Sequence, residues 1–301
     1  MQSVGRKLAF VLASSNHGSM IVNRFDCRML DGQRGYGVGF QILETASFDA
    51  AEVKLAVDLL AIRRKHHGDG VVAIDCGANI GVHTIEWAKA MTGWGSVLAI
   101  EAQERIYYAL AGNIAINNCF NAIAVHAAVS SESGVLPIPN PNYLVPSSFG
   151  SLELRRRSGN EFIGQPIDYD NTVNVRKLML DEYQLPRVDL IKLDIEGMEL
   201  EALAGAQQTI ERCRDHADRK DQGGRRAIAP MAATIRLRHH RGRDQPARHP
   251  CRRRLARRDR AAGATARTDT GVSLIAIPAA AIGRARRLSA PAGDRSRRSR
   301  S

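Results

Sequence analysis

The stretch V-V-A-I-D-C-G-A-N-I-G-V-H-T, Val71 to Thr84, carries more structural information than any other part of the chain. Val71–Ile74 is a short continuous apolar run, the pattern of a parallel strand covered on both faces. It ends on Asp75, breaks at Gly77 and Gly81, and passes into a helical segment at 82–91. A strand, a glycine loop and a helix in that order place a ligand site at the carboxyl end of a parallel sheet.

The pattern repeats outward from there. Gly95–Glu101 reads as a second strand, 104–117 as a second helix, Ala122–Val129 as a third strand, Val188–Asp194 as a fourth and Glu199–Cys213 as a further helix. Alternating strands and helices predict an α/β fold with a doubly wound, mostly parallel sheet. Before it, M-I-V-N-R-F-D (20–26) and G-V-G-F-Q-I-L-E (37–44) are candidate strands. Asp49 is a candidate N-cap with Glu52 three residues on, and Val53, Ala56, Val57 and Leu60 share a helix face. Residues 135–172, rich in Pro, Ser, Gly and Asn, read as an irregular lid or substrate loop, and its run Arg155–Arg157 as a solvated patch. The predicted organisation is a β-rich N-terminal segment with a helix (1–66), a cofactor-binding domain (67–213) and a tail (214–301).

The formal charge of +12 is unevenly spread. Residues 1–213 carry 19 Lys and Arg against 24 Asp and Glu, while 214–301 carry 24 against 7. The core has no basic excess, which argues against nucleic acid as its partner. Beyond Arg214 there is no Glu, Asn, Phe, Tyr or Trp, and the only lysine is Lys220. Arg, Ala, Gly and Pro in these proportions are what GC-rich DNA encodes out of frame, so the tail reads as a frameshift product. Read instead as an authentic basic tail, it would contact RNA phosphates. Five cysteines without a C-x-x-C pair and no long apolar stretch predict a reduced, cytoplasmic protein with no membrane contact.

The glycine spacing departs from the G-x-G-x-x-G of a dinucleotide site. D-x-G-x-x-x-G suits a cofactor whose amino-acid moiety packs on the loop, as in S-adenosylmethionine, with Asp75 as acceptor for its ammonium. Glu101 ends the next strand 26 positions after Asp75, where a carboxylate accepts from both ribose hydroxyls. His83 reads as a packed or capping histidine. Lys192, in an otherwise apolar strand, needs a carboxylate partner, and Asp194 or Asp75 could supply it. Asp194 or Glu196 would be the general base for an acceptor hydroxyl, working without a metal.

D-C-G-A-N-I-G, A-I-E-A, L-A-G-N-I-A-I-N-N and V-D-L-I-K-L-D-I-E-G-M-E-L-E-A-L-A-G-A together resemble the FkbM family of S-adenosylmethionine-dependent methyltransferases, over about residues 20–213. The resemblance implies a class I methyltransferase fold and O-methylation of a hydroxyl on a sugar or small metabolite. It places Asp75, Gly77, Ala78, Asn79 and Gly81 in the cofactor loop and makes Glu101 the ribose acid. Asp194, Glu196, Gly197 and Glu199 match the family's acidic motif. Ala102 stands where a proline often follows the ribose acid. The family also continues past the last helix with a strand bearing a Glu and a hairpin. Here those strands are expected to be missing or scrambled after residue 214, which would impair activity or leave a cofactor-binding relic.

Overall fold

The computed structural model describes residues 6–29 and 35–213, and the backbone of Thr234–Leu237 and Val272–Ala276. In chain order the elements are β1 (Phe10–Ser15), β2 (Gly18–Asn23), β3 (Arg28–Met29), β4 (Gly35–Tyr36), α1 (Val38–Thr45) and α2 (Ala50–His67). The core follows as β5 (Val71–Cys76), α3 (Val82–Ala90), β6 (Gly95–Glu101), α4 (Glu104–Ile116), β7 (Ala122–His126) and β8 (Ala128–Val129). The series ends with β9 (Gly134–Pro139), β10 (Thr172–Leu178), β11 (Leu190–Leu193), α5 (Glu199–Ala204), β12 (Thr234–Leu237) and β13 (Val272–Ala276).

The central sheet has the order β12-β13-β11-β5-β6-β7, with β11, β5, β6 and β7 mutually parallel. Chain direction across the sheet reverses between β11 and β5, so the carboxyl ends of these two strands form the topological switch point. Alternation along the strands splits the core in two. Val71, Ala73 and Val97 pack with Val53, Leu60, Ile85 and Trp87 on one face, and Ile74, Ile100, Ile191 and Leu193 pack with Ala202 and Ala206 on the other. No helix among the described residues is long and apolar enough to cross a membrane.

The fold class is the expected one; several elements differ from the reading of the sequence. G-V-G-F-Q-I-L-E is helix α1, not a strand. Gly37, at φ 142°, turns the chain into it, and Val38, Gly39 and Ile42 form its buried face. So short an apolar run has no period that separates helix from strand, and packing on β2 settles it: a Cβ on Gly39 would stand 2.3 Å from the Asn23 carbonyl oxygen. Asp49 precedes α2 but forms no side-chain cap. The expected third strand splits, because β8 leaves the central sheet to pair with β10. Residues 135–139, inside the expected irregular stretch, belong to β9 and pair antiparallel with β10. The last helix is interrupted at Gly205 and Ala206, and residues 207–213 resume it. Asp181 accepts from the backbone N–H groups of Gln208 and Thr209 at 3.1 and 2.7 Å, capping the resumed helix.

The sheet also does not stop at β11. β13 pairs antiparallel with β11, and β12 with β13, so β11 is not an edge. The remainder of 214–301, on which the shifted-frame reading rests, lies outside the described residues.

One side chain holds the N-terminal segment against the later loop. Asp26, buried just past β2, accepts from Gly39 N–H at 2.9 Å through Oδ2 and from Phe149 N–H at 3.1 Å through Oδ1. Burial lifts its carboxyl to about 6, against the lowering pull of the Gly39, Phe149 and Val38 amides. Replacing it strands two buried donors, each worth about 1–3 kcal/mol. Asp26→Ala is expected to lower unfolding free energy by about 3 kcal/mol, read from the urea midpoint at constant slope.

Candidate functional site

The loop after β5 is shaped by what lies behind it. Gly77 has φ 74°, and a Cβ there would fall 1.9 Å from the Asp194 carbonyl oxygen, so glycine alone lets the loop lie against the end of β11. The N–H groups of Gly77 and Ala78 both donate to the Ile100 carbonyl, at 2.9 and 3.0 Å, hooking the loop over β6. Asn79, at φ 51°, turns its N–H onto Glu101 Oε2 at 2.9 Å. Gly81 begins α3 in the left-handed region without a side-chain cap, and a Cβ on it would meet Leu110 at 2.6 Å. Asn113 braces the loop from α4: its amide donates to the Ile80 carbonyl at 2.8 Å while its Oδ1 accepts from Ile21 N–H at 2.5 Å.

This loop floors a cleft of about 560 Å³. Gly77, Ala78 and Asn79 line it with Glu101 and Gln103 from the end of β6, and Lys192, Asp194, Glu196 and Glu199 from the end of β11. Tyr36, Val38, Phe40, Gln41 and Phe48 of the N-terminal segment and Ser148, Gly150, Ser151, Leu152 and Leu154 of the long loop enclose the rest. A 560 Å³ cleft is the size of a small-molecule or cofactor site.

Glu101 is 6% exposed and held at both oxygens, Oε2 by Asn79 N–H and Oε1 by Gln103 N–H at 2.8 Å. Burial raises its carboxyl to about 7, against the lowering effect of the Gln103, Asn79 and Ala102 amides and of the Lys192 charge. Gln103 is itself fixed, donating to the Phe149 carbonyl at 2.9 Å and accepting from the Tyr143 hydroxyl at 3.2 Å.

Lys192 has both of the carboxylates the sequence offered it. Its Nζ lies 3.2 Å from Asp75 Oδ1 and 3.2 Å from Asp194 Oδ2, with the lysine 2% exposed. Burial works against its charge, but Asp194 and Asp75 outweigh it and hold the ammonium above its ordinary range. Asp75 is therefore not where the sequence reading put it. It lies behind the loop, outside the cleft walls, with Oδ2 taken by the Thr84 hydroxyl at 2.7 Å and Oδ1 by Lys192. Gly81 likewise lies outside the walls and serves the packing of α3. Ala78, Gly77, Asn79, Glu101, Asp194 and Glu196 do come together around the cleft.

Just past β11, Asp194 is 40% exposed and pinned by Lys192. Glu196 is pushed up to about 8, by burial first and then by Asp194, Glu199 and Glu153. Among the described residues no group of three or more His, Cys, Asp and Glu side chains is arranged to hold a metal ion. The Arg155–Arg157 run is not a free patch. Arg155 pairs with Glu201 at 2.6 Å, Arg156 with Asp170 at 3.0 Å, and Arg157 donates to the Gly197 carbonyl, clasping the long loop to the start of α5.

Gln103 and Tyr143 carry no motif and are not singled out by the sequence, whereas the Ser148–Leu152 wall falls within 135–172, the stretch whose Pro, Ser, Gly and Asn content reads as a lid or substrate loop. Lys192→Met would leave Asp75 buried without a counter-charge. Its unfolding free energy is expected to fall by about 3–5 kcal/mol in chemical denaturation, whereas Lys54→Met, at the exposed Asp58 pair, leaves the midpoint in place.

The chain is similar in sequence to known methyltransferases. Residues 75–216 match the family described as Methyltransferase FkbM domain. Methyltransferase sdnD of Sordaria araneosa is 31% identical over 156 residues, which are 45% of this chain and 60% of that protein. The chain thus spans less than two thirds of that relative's length. Among solved structures, methyltransferase FkbM from Methylobacillus flagellatus KT is 18% identical with a TM-score of 0.29, covering 47% of this chain and 30% of that one. A SAM dependent methyltransferase from Aquifex aeolicus is 17% identical with a TM-score of 0.19, covering 27% and 48%. The likeness that carries weight is in sequence: residues 75–216 match the FkbM methyltransferase domain.

Proposed function

We propose that the chain is an S-adenosylmethionine-dependent methyltransferase acting on a hydroxyl of a sugar or small metabolite. The observation that carries this reading is Glu101: a carboxylate with both oxygens fixed by backbone amides, facing a cleft whose floor is a glycine loop. Its remaining lone pairs suit the two hydroxyls of a ribose. Gly77, Ala78 and Asn79 form the adjoining backbone surface for the amino-acid half, where any side chain on Gly77 would close the gap to β11.

When bound, the cofactor supplies an electrophilic methyl group on a sulfonium sulfur. The residues of the chain then position an acceptor oxygen and take its proton, and positioning supplies most of the acceleration in a displacement of this kind. Asp194 and Glu196 stand at the carboxyl end of β11, beside the loop. Glu196 holds its proton at neutral pH and becomes a proton acceptor only as pH rises through about 8. Asp194, ion-paired with Lys192, is the group kept in place to orient the hydroxyl. Tyr36, Phe40, Phe48 and Leu152 line the same cleft with apolar surface that would help exclude water from the reacting oxygen.

Calorimetric titration of the full chain with S-adenosylhomocysteine tests the reading, and absence of binding overturns it. The ionised Glu101 is the form that accepts from hydroxyls, so affinity is expected to rise with pH through about 7 and to fall below it. Glu101→Gln should weaken binding roughly 100-fold and flatten that dependence, since a hydrogen bond to a charged group is worth about 1.5–3 kcal/mol. With any acceptor that turns over, the rate should climb through about pH 8, and Glu196→Gln should lower it about 10²–10⁴-fold and remove that limb.

A further inference from the structure

We propose that His83, oriented by Glu52, accepts a hydrogen bond from the ammonium group of the cofactor's amino-acid moiety. The proposal rests on the cofactor reading above and assigns a residue to the part of that ligand for which the expected partner is missing. An amino-acid moiety brings a carboxylate, which backbone amides can meet, and an ammonium, which carries three donors and no acceptor. Asp75 cannot serve the ammonium. It is fully buried behind the loop, and its two oxygens are taken by Thr84 and Lys192. A second cation would also face the Lys192 ammonium there.

His83 lies in the first turn of α3 and lines the same cleft as Gly77, Ala78 and Asn79. Its Nε2 is 3.5 Å from Glu52 Oε1 of α2 and has no hydrogen bond among the described residues. Trp87 stands edge-on to the ring at 5.7 Å between centroids and limits its rotation. A ring nitrogen facing a carboxylate carries the proton, which leaves the lone pair on the other nitrogen. In the tautomer with its proton on Nε2, the ring presents Nδ1 as an acceptor, with the Glu52 carboxylate behind it to favour a cation in front. Glu52 also raises the Lys192 ammonium, which puts its carboxylate within electrostatic reach of the strand ends that floor the cleft.

The start of α3 supplies the complementary half. Gly81 provides no side-chain cap, and Val82 and His83 line the cleft, so the helix start that would meet an anion borders the same space. Carboxylate on the helix start and ammonium on His83 would bind the two ends of one α-amino acid with adjacent groups.

The test is calorimetric titration of the full chain with two probes, S-adenosylhomocysteine and 5′-methylthioadenosine, which share the nucleoside and thioether but differ in the amino-acid moiety. His83→Leu is expected to weaken S-adenosylhomocysteine about tenfold and to leave 5′-methylthioadenosine unchanged. His83→Asn, whose amide oxygen can stand in for Nδ1, should recover most of the loss. Glu52→Gln should reproduce the selective loss, because a neutral amide removes the negative charge that favours a cation in front of the ring; it decides the matter if His83→Leu does not fold. Unchanged S-adenosylhomocysteine affinity, or equal losses on both probes, overturns the proposal. Failure of the wild-type chain to bind either probe instead overturns the cofactor reading itself.

Discussion

The junction of β5 and β11 depends on one buried ammonium. Lys192 sits between Asp75 and Asp194 at 3.2 Å from each, and its Nζ also approaches the Gly77 carbonyl at 3.5 Å. Removing a lysine and an aspartate from water costs several kcal/mol per ion, and the attraction offsets this only where the geometry is good and other hydrogen bonds complete the set. Thr84 completes it on Asp75. Strand β5, the loop, α3 and β11 are tied through a single charge cluster, so the loop cannot shift without exposing or unpairing that charge. The arrangement costs stability that a leucine would not, and in exchange it fixes where the Asp194 carboxylate emerges.

The opposite wall depends on a contact of a different kind. Asp26 joins α1 to Phe149, 123 positions away, by accepting from backbone amides rather than by pairing with a charge. Cys27 N–H to the Ser147 carbonyl at 3.0 Å and Ser147 N–H to the Phe25 carbonyl at 2.9 Å extend the contact. The N-terminal segment is thereby part of the cleft and not an appendage to the sheet, and Val38, Phe40 and Ser148 reach the ligand space together.

These two kinds of contact explain what could be read from the chain and what could not. D-C-G-A-N-I-G and K-L-D-I-E-G are local: each packs a strand end, a turn and a helix start into a few residues, and Lys192 in an apolar strand announces its need for a carboxylate. The doubly wound sheet and the residues lining the floor follow from such segments. Asp26, Gln103 and Tyr143 act across 40 residues or more, and no periodicity connects them. Asp75 shows the limit from the other side. Its position after an apolar strand was legible, but both of its oxygens were equally suited to a ligand or to a buried lysine. Only the register of β11 against β5, which sets Lys192 beside Asp75, distinguishes the two.

Three carboxyls are raised, Asp26 behind the cleft wall to about 6, and Glu101 and Glu196 in the cleft to about 7 and about 8, and in each burial is the largest cause. They differ in what opposes it. Asp26 and Glu101 are met by backbone amides, which favour the ionised form, whereas Glu196 is met by Asp194, Glu199 and Glu153, which disfavour it further. Burial therefore does not simply suppress charge in this cleft; it grades it. The end of β6 keeps the Glu101 carboxylate near its transition at neutral pH, and the segment after β11 keeps Glu196 protonated. A cationic ligand entering such a site draws protons off its walls, so binding and ionisation are coupled through the same groups that shape the cleft.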